Sequence, residues 1–309
     1  MAFKVTIHFG IFAGKFKKQI GMKYLLSFLL SIGSFAGIGA QTVKYSTSWF
    51  GPNANPVPEF TDARIPSKTT VSLMGDYYFG YGDQTENGYV KIEFPLVSER
   101  VSLKLWSTVL EHYKTTEEIM QQRGSSALSG SENGDLYVQT RISLFTEQKN
   151  RPSIILNSTL KTASAKTYKT RRYFDTPGYY FDLEAGKSIY TKNKFISEIR
   201  GVADVGFMCW ETTGSRQDDA PMYGGKIIVG NDRWKFENTL SGYWGWMHTS
   251  KAMNMPDYGD TPLVYATKLS LKFGKTDYFA QYQYGIKDFP YHQIRVGISF
   301  PVDKLTPKF

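Results

Sequence analysis

The run "HTS", His248 to Ser250, sets an imidazole close to a hydroxyl, with Asp257 and Asp260 a short loop further on. A base beside a hydroxyl, oriented by a carboxylate, is the arrangement that acyl transfer requires. His248 and Ser250, with Asp260 or Asp257 as third member, are therefore the candidate catalytic set. The competing reading is plain: histidine and serine suit a boundary between apolar and aqueous surroundings without any chemistry. His112 and His292 lie on other strands, so no metal-ligand spacing is present, and neither a metal nor a cofactor is expected. Asp218 and Asp219 read as a solvated loop, and Cys209, as the single cysteine, excludes an intramolecular disulfide.

A second set of reactive side chains is larger and more dispersed. Lys91, Glu93, Lys104, Arg141, Lys161, Asp182, Glu184, Glu198, Arg200, Asp204, Lys235, Glu237, Lys268, Lys272 and Arg295 recur at mid-strand positions of one parity. If that face encloses a space, opposite charges a strand apart either pair into a satisfied polar core or create a field that orients a polar solute. The signs are mixed, so no selectivity for anions or cations follows from the list alone.

Positioning such a face requires strands. From Thr69 onward the chain alternates apolar and polar residues with period two, and no segment carries a 3.6-residue apolar stripe. In "RVSLKLWSTVLEHY" the apolar set Val101, Leu103, Leu105 and Val109 opposes Ser102, Lys104, Trp106 and Thr108, which places His112 on the inward parity. About twelve such strands fit between Thr69 and Phe300, joined by short links such as "SER" and "GND" that alternate with long ones such as "KTTEEIMQQRGSSALSGSENG". The first and last links on the long side are themselves short. Tyr 21, Phe 21 and Trp 6 supply aromatic residues toward the ends of the apolar face; Trp234, Trp244, Trp246, Tyr77, Tyr81, Tyr282 and Tyr284 form the expected girdles. The expected fold is all-β, a closed antiparallel transmembrane barrel. A two-layer sandwich alternates equally well, but its polar face does not need charge at mid-strand in nearly every strand.

Residues 1–40 differ from the rest. They carry five lysines, no acid, and the apolar run "YLLSFLLSIGSFAGIGA", the pattern of an export signal cleaved after Ala40, with Met22 as an alternative start. Losing those lysines takes the formal charge from +9 to +4, which removes the main argument for nucleic-acid binding. Residues 41–68, rich in proline, read as an irregular segment that lies either outside the barrel on the periplasmic side or folded into its lumen as a plug.

The leader, the alternating strands, the unequal loops and the closing "IRVGISF" resemble the outer-membrane β-barrel proteins of Gram-negative bacteria over residues 69–309, with no subfamily identified. That resemblance implies an outer-membrane location. It also implies contact with outer-membrane lipid and lipopolysaccharide and with the barrel-assembly machinery, which reads a terminal aromatic residue. The expected role is a narrow, porin-like channel or solute-binding barrel for a small polar solute. Two alternatives stand beside it. "HTS" is similar to the His-x-Ser of two lipid-hydrolysing barrel families, outer-membrane phospholipase and lipid A deacylase, and a structural or adhesive barrel would act through its loops.

Overall fold

The computed structural model describes residues 42–43, 47–165, 168–174, 176–212, 215–216, 219–245, 248–249 and 259–307. The leader expected over residues 1–40, Trp246, Ser250 and Asp257 lie outside the described residues, as does the side chain of His248.

Twelve long strands follow one another: β1 Thr70–Gly80, β2 Asp83–Val97, β3 Val101–Thr115, β4 Leu136–Phe145, β5 Ser153–Lys161, β6 Gly178–Tyr190, β7 Glu198–Thr212, β8 Ala220–Gly230, β9 Trp234–Tyr243, β10 Leu263–Phe273, β11 Thr276–Lys287 and β12 His292–Pro301. Each pairs antiparallel with the next in sequence. The ring closes where β12 pairs with β1, from His292 opposite Phe79 to Pro301 opposite Thr70. Closure leaves none of these strands with an unpaired edge.

Alternation explains which way each strand faces. In β1, Ser72, Met74, Asp76 and Tyr78 are buried inside the ring, whereas Leu73 and Tyr77 are exposed outside it. The same inversion runs round the ring: Leu160, Phe181, Val205, Ile227, Leu240, Leu269 and Val296 are all exposed, while Arg141, Asp182, Arg200 and Arg295 are buried. A continuous apolar exterior around a charged interior is stable only where the surroundings are themselves apolar.

The two rims differ as the loop lengths require. Short turns, including Ser98–Arg100 and Gly274–Lys275, join strands at one rim, and long loops join them at the other. The long-loop rim also has short links at both ends of the sequence, Tyr81–Gly82 and residues 288–291. Tyr81 and Gly82 both adopt positive φ (51° and 64°), the two-residue turn whose twist matches the flanking strands. The longest described loop carries helix α1, Glu117–Arg123, capped by the Thr116 side chain, which accepts from Ile119 N, and ended by left-handed Gly124.

One departure from strict alternation relocates a residue. The β2–β3 register slips between Gly88, opposite Leu110, and Tyr89, opposite Thr108, so Val109 is an extra residue. Val109 and Leu110 both point outward, and the parity beyond them reverses. Glu111 is thereby buried inside, and His112, expected inward, is exposed with Nδ1 3.1 Å from Ser131 Oγ.

Candidate functional site in the lumen

The lumen is not empty, because residues 47–68 run through it from one rim to the other. At the long-loop rim Thr47 bonds the Asp288 carbonyl, Arg123 Nε donates to Ser48 O (3.1 Å) and Tyr291 OH donates to Phe50 O (2.9 Å). Asn53 Nδ2 donates to Glu111 Oε2 (2.6 Å) on β3. At the short-turn rim Lys68 pairs with Asp303 (2.7 Å), and Thr69 bonds Leu305 and Thr306. Prolines at 52, 56, 58 and 66 suit this path, since a segment that joins no sheet loses no ladder bond by lacking N–H groups.

Two groups of side chains fill the long-loop end. Tyr78, Tyr137, Tyr180, Met208, Trp210, Met222, Tyr243, Val264, Phe289 and Tyr291 form one buried apolar cluster with Val57, drawn from strands around most of the ring. Beside it Arg172 reaches down from the loop after β5. Its Nε donates to Glu111 (2.5 Å), its NH1 to Asp83 (2.7 Å) and its NH2 to Thr85 (2.6 Å), while Arg123 of α1 shares Asp83 (2.5 Å). Burial works against the Arg172 charge, but Glu111 and Asp83 more than offset it and hold its pKa above the ordinary guanidinium value.

Below this end the charged residues divide between two walls. On β4–β7 they are buried and, apart from Asp182 and Asp204, ion-paired. Arg141 donates to Glu93 (2.7 Å), Glu184 (3.2 Å) and the Arg64 carbonyl (3.0 Å). Arg200 donates to Glu147 (2.5 Å), Ser188 (2.7 Å) and the Asp62 carbonyl (2.7 Å). Asp182 accepts from Asn157 (2.5 Å), and Asp204 is buried on the same wall. Lys161 pairs with Asp135 (2.8 Å), and Glu198 with Arg64. Glu184 grips the resident segment directly, accepting from Thr61 N (2.7 Å), Thr61 Oγ1 (2.7 Å) and Ala63 N (3.1 Å) around a backbone turn in which Ala63 has φ 56°. Across the short-turn rim, burial pushes the Glu147 carboxyl up, but the Ser188 amide and Arg200 outweigh it and leave the pKa below the ordinary 4.5.

The opposite wall is open. A cavity of about 670 Å³ lies between the resident segment and β8–β12, reaching β1–β3, and it extends from the short turn Asn231–Arg233 up to Ser241 and Gln283. Lys91, Glu93, Lys104, Lys235, Glu237, Lys268 and Lys272 line it together with Lys226. Arg295 stands at its edge, bidentate to Asp76 (2.6 and 2.7 Å) and bonded to Glu59 (2.6 Å). Phe60 separates segment from wall: Lys226 Nζ donates to its carbonyl (2.7 Å) and lies 4.8 Å from its ring centroid.

Several of these groups have no place in the charge pattern read from the sequence. Lys226 follows the inward parity of Gly224 on β8 and could have been found that way. Arg123 and Arg172 sit in loops, where alternation gives no signal. The segment residues Phe60, Thr61 and Ala63 carry none either, because their partners on the strands are eighty or more residues away.

Of the girdle residues, Trp244, Tyr77, Tyr282 and Tyr284 are exposed on the outer face, and Trp234 packs on Phe195 (centroids 4.9 Å) by the short-turn rim. Tyr81 does not join them. Its positive φ turns the ring inward over the mouth, where it packs on the apolar cluster and donates to Gln122 Oε1 (3.1 Å). Asp260 is fully buried behind Gly245, whose amide bonds its carbonyl (2.9 Å). The backbone of His248 pairs with Thr42.

Neither a family model nor a curated protein matches the sequence. Solved structures do match. An outer membrane channel from Pseudomonas putida F1 superposes with a TM-score of 0.50 at 10% identity, over 79% of this chain and 100% of the other. The fold is that of outer-membrane β-barrels. Outer membrane protein Omp33 of Acinetobacter baumannii (TM-score 0.42, 8% identity, 78% of this chain, 100% of the other) and outer membrane phospholipase A of Escherichia coli (0.39, 11%, 83% and 98%) are more distant.

Proposed function

We propose that the chain is an integral outer-membrane barrel that binds or passes a small polar solute through a lumen closed at one end by its own amino-terminal segment and loops. The observation that carries this reading is the 670 Å³ charged cavity that reaches the short-turn rim. In the usual orientation of such barrels short turns face the periplasm and long loops the exterior. The cavity then opens to the periplasm beneath an apolar layer. Outer-membrane lipid surrounds the exposed apolar belt, lipopolysaccharide meets the outer aromatic residues, and the assembly machinery is the partner in insertion.

A wall made only to hold the barrel together would pair nearly all its charges, as β4–β7 do outside Asp182 and Asp204. On β8–β12 polar side chains surround open space, which favours a solute over a purely structural role. The test is planar-bilayer conductance of the intact protein and of a variant lacking residues 47–66. Small or absent current in the intact protein and a clear rise in the variant are expected. No current in either, from folded barrels, would overturn the reading. In the same preparations, release of fatty acid from phospholipid that disappears in both His248→Ala and Ser250→Ala would replace it with the hydrolase.

A further inference from the structure

The cavity's charges are not balanced, and the imbalance has a sign. Cationic side chains outnumber carboxylates around the cavity, nine (Arg64, Arg141, Arg233 and six lysines) to six, and the three glutamates already have cationic partners: Glu93 has Arg141 (2.7 Å), Glu59 has Arg295 (2.6 Å), and Glu237 has Lys268 (3.5 Å) and Lys226 (3.8 Å). Lys91, Lys104, Lys235 and Lys272 line the same space, and among the described residues none has a carboxylate within ion-pairing distance. They come from both sides of the cavity, Lys91 and Lys104 from β2 and β3 and the others from β9 and β10. Lys91 lies within electrostatic reach of Glu59, which Arg295 already pairs, and of the cations Lys104, Lys268 and Arg295. Four ammonium groups around one enclosed volume repel one another, and that cost is relieved when an anion sits among them. Ser72, Ser270, Gln281 and Ser299 line the wall between them and offer neutral hydrogen bonds to the same ligand.

Resting on the solute-binding reading above, we infer that the cavity takes a small polyanion, a carboxylate- or phosphate-bearing molecule held between Lys91 and Lys104 on one side and Lys235 and Lys272 on the other. Its volume falls within the range of sites for small organic ligands. A cation is disfavoured there because the lining carries more cationic side chains than carboxylates and Glu59, Glu93 and Glu237 are already occupied.

Calorimetric titration of the full-length protein in detergent tests the inference, with citrate as the carboxylate probe, inorganic phosphate as the phosphate probe and glucose as the neutral control. Saturable binding of citrate, phosphate or both is expected, without glucose binding; which anion binds more tightly identifies the ligand's charged group. Lys91→Gln and Lys235→Gln should each weaken it by roughly tenfold, and Lys91→Arg should preserve it. Heat-modifiable migration on unboiled gels confirms that each variant is a folded barrel. Absence of saturable anion binding, equal glucose binding, or binding unchanged by both neutral variants overturns the inference. Conductance of the variant lacking residues 47–66 separates its failure from that of the broader reading. A variant that conducts while the full-length protein binds neither anion refutes the inference and leaves the broader reading in place.

Discussion

The ring of Phe60 lies directly against the backbone of Gly224: a Cβ built at Gly224 would fall inside the van der Waals surface of the ring, with Phe60 Cζ at 2.9 Å. Only the absence of a side chain on β8 lets the resident segment sit this close to the wall. Gly224→Leu should therefore displace Phe60 without breaking the barrel, since the β8–β9 and β7–β8 ladders do not involve the side chain. Limited proteolysis of folded protein would then cut within residues 59–66, and bilayer conductance would rise. Unchanged protection of that segment would show that Phe60 is not held by this contact.

Glu184 secures the same segment from the other wall. Removing its charge in Glu184→Gln leaves Arg141 with one fewer carboxylate and weakens the grip on Thr61 and Ala63. Breaking a buried pair by removing one partner costs about 3–5 kcal/mol. Hydrogen exchange at the amides of Thr61 and Ala63 should accelerate sharply, while exchange in β10–β12 stays as it was.

Arg172 ties the loop after β5 to two strands at once. Arg172→Lys keeps the charge but loses the planar fork that reaches Glu111, Asp83 and Thr85 together. Faster proteolysis of the loop at residues 162–177 is expected, with the barrel still heat-modifiable.

Acid should loosen the short-turn rim at Glu147. Its folded-state pKa is depressed below 4.5, so the stability it contributes is complete above that value and disappears as pH falls through the lower, folded pKa. Amide exchange at Ser188, whose N–H donates to Glu147 (2.8 Å), reports this directly. Glu147→Gln should abolish the acid dependence at that amide.

The exposed belt makes a further demand. Leu269→Arg, at an exposed outward position of β10, should destabilise insertion by about 2–4 kcal/mol if it lies near the bilayer midplane. Inward Thr239→Arg meets open cavity and should assemble normally. Equal assembly of both variants in lipid vesicles would contradict a lipid-facing belt.

How much of this was legible beforehand depends on whether the signal was local. Period two fixed the facing of β1, because a strand's alternation is written in consecutive residues. The slip at Val109 was hidden, since two apolar neighbours, Val109 and Leu110, read equally well as the end of one parity or the start of another. Tyr81 was misplaced for a related reason: parity stops predicting direction once φ turns positive. The sorting of charges by wall was available in principle. Neighbours in the ring are neighbours in sequence, so the lysines of β8–β10 fall on one arc and the acids of β6 and β7 on another. What no local pattern could supply is that Phe60, Thr61 and Ala63 would meet those arcs from inside.

The path of residues 47–68 also dictates an order of events. They join β1 at the short-turn rim, beside the seam where β12 meets β1, yet bond to loop residues at the far rim. A ring already sealed along that seam could accept such a segment only by drawing its leading end through the full height of the wall, past Arg141 and Glu184. A ring still open admits it sideways. The seam is thus the last gate in assembly, and the segment must already lie in the lumen when β1 and β12 are joined.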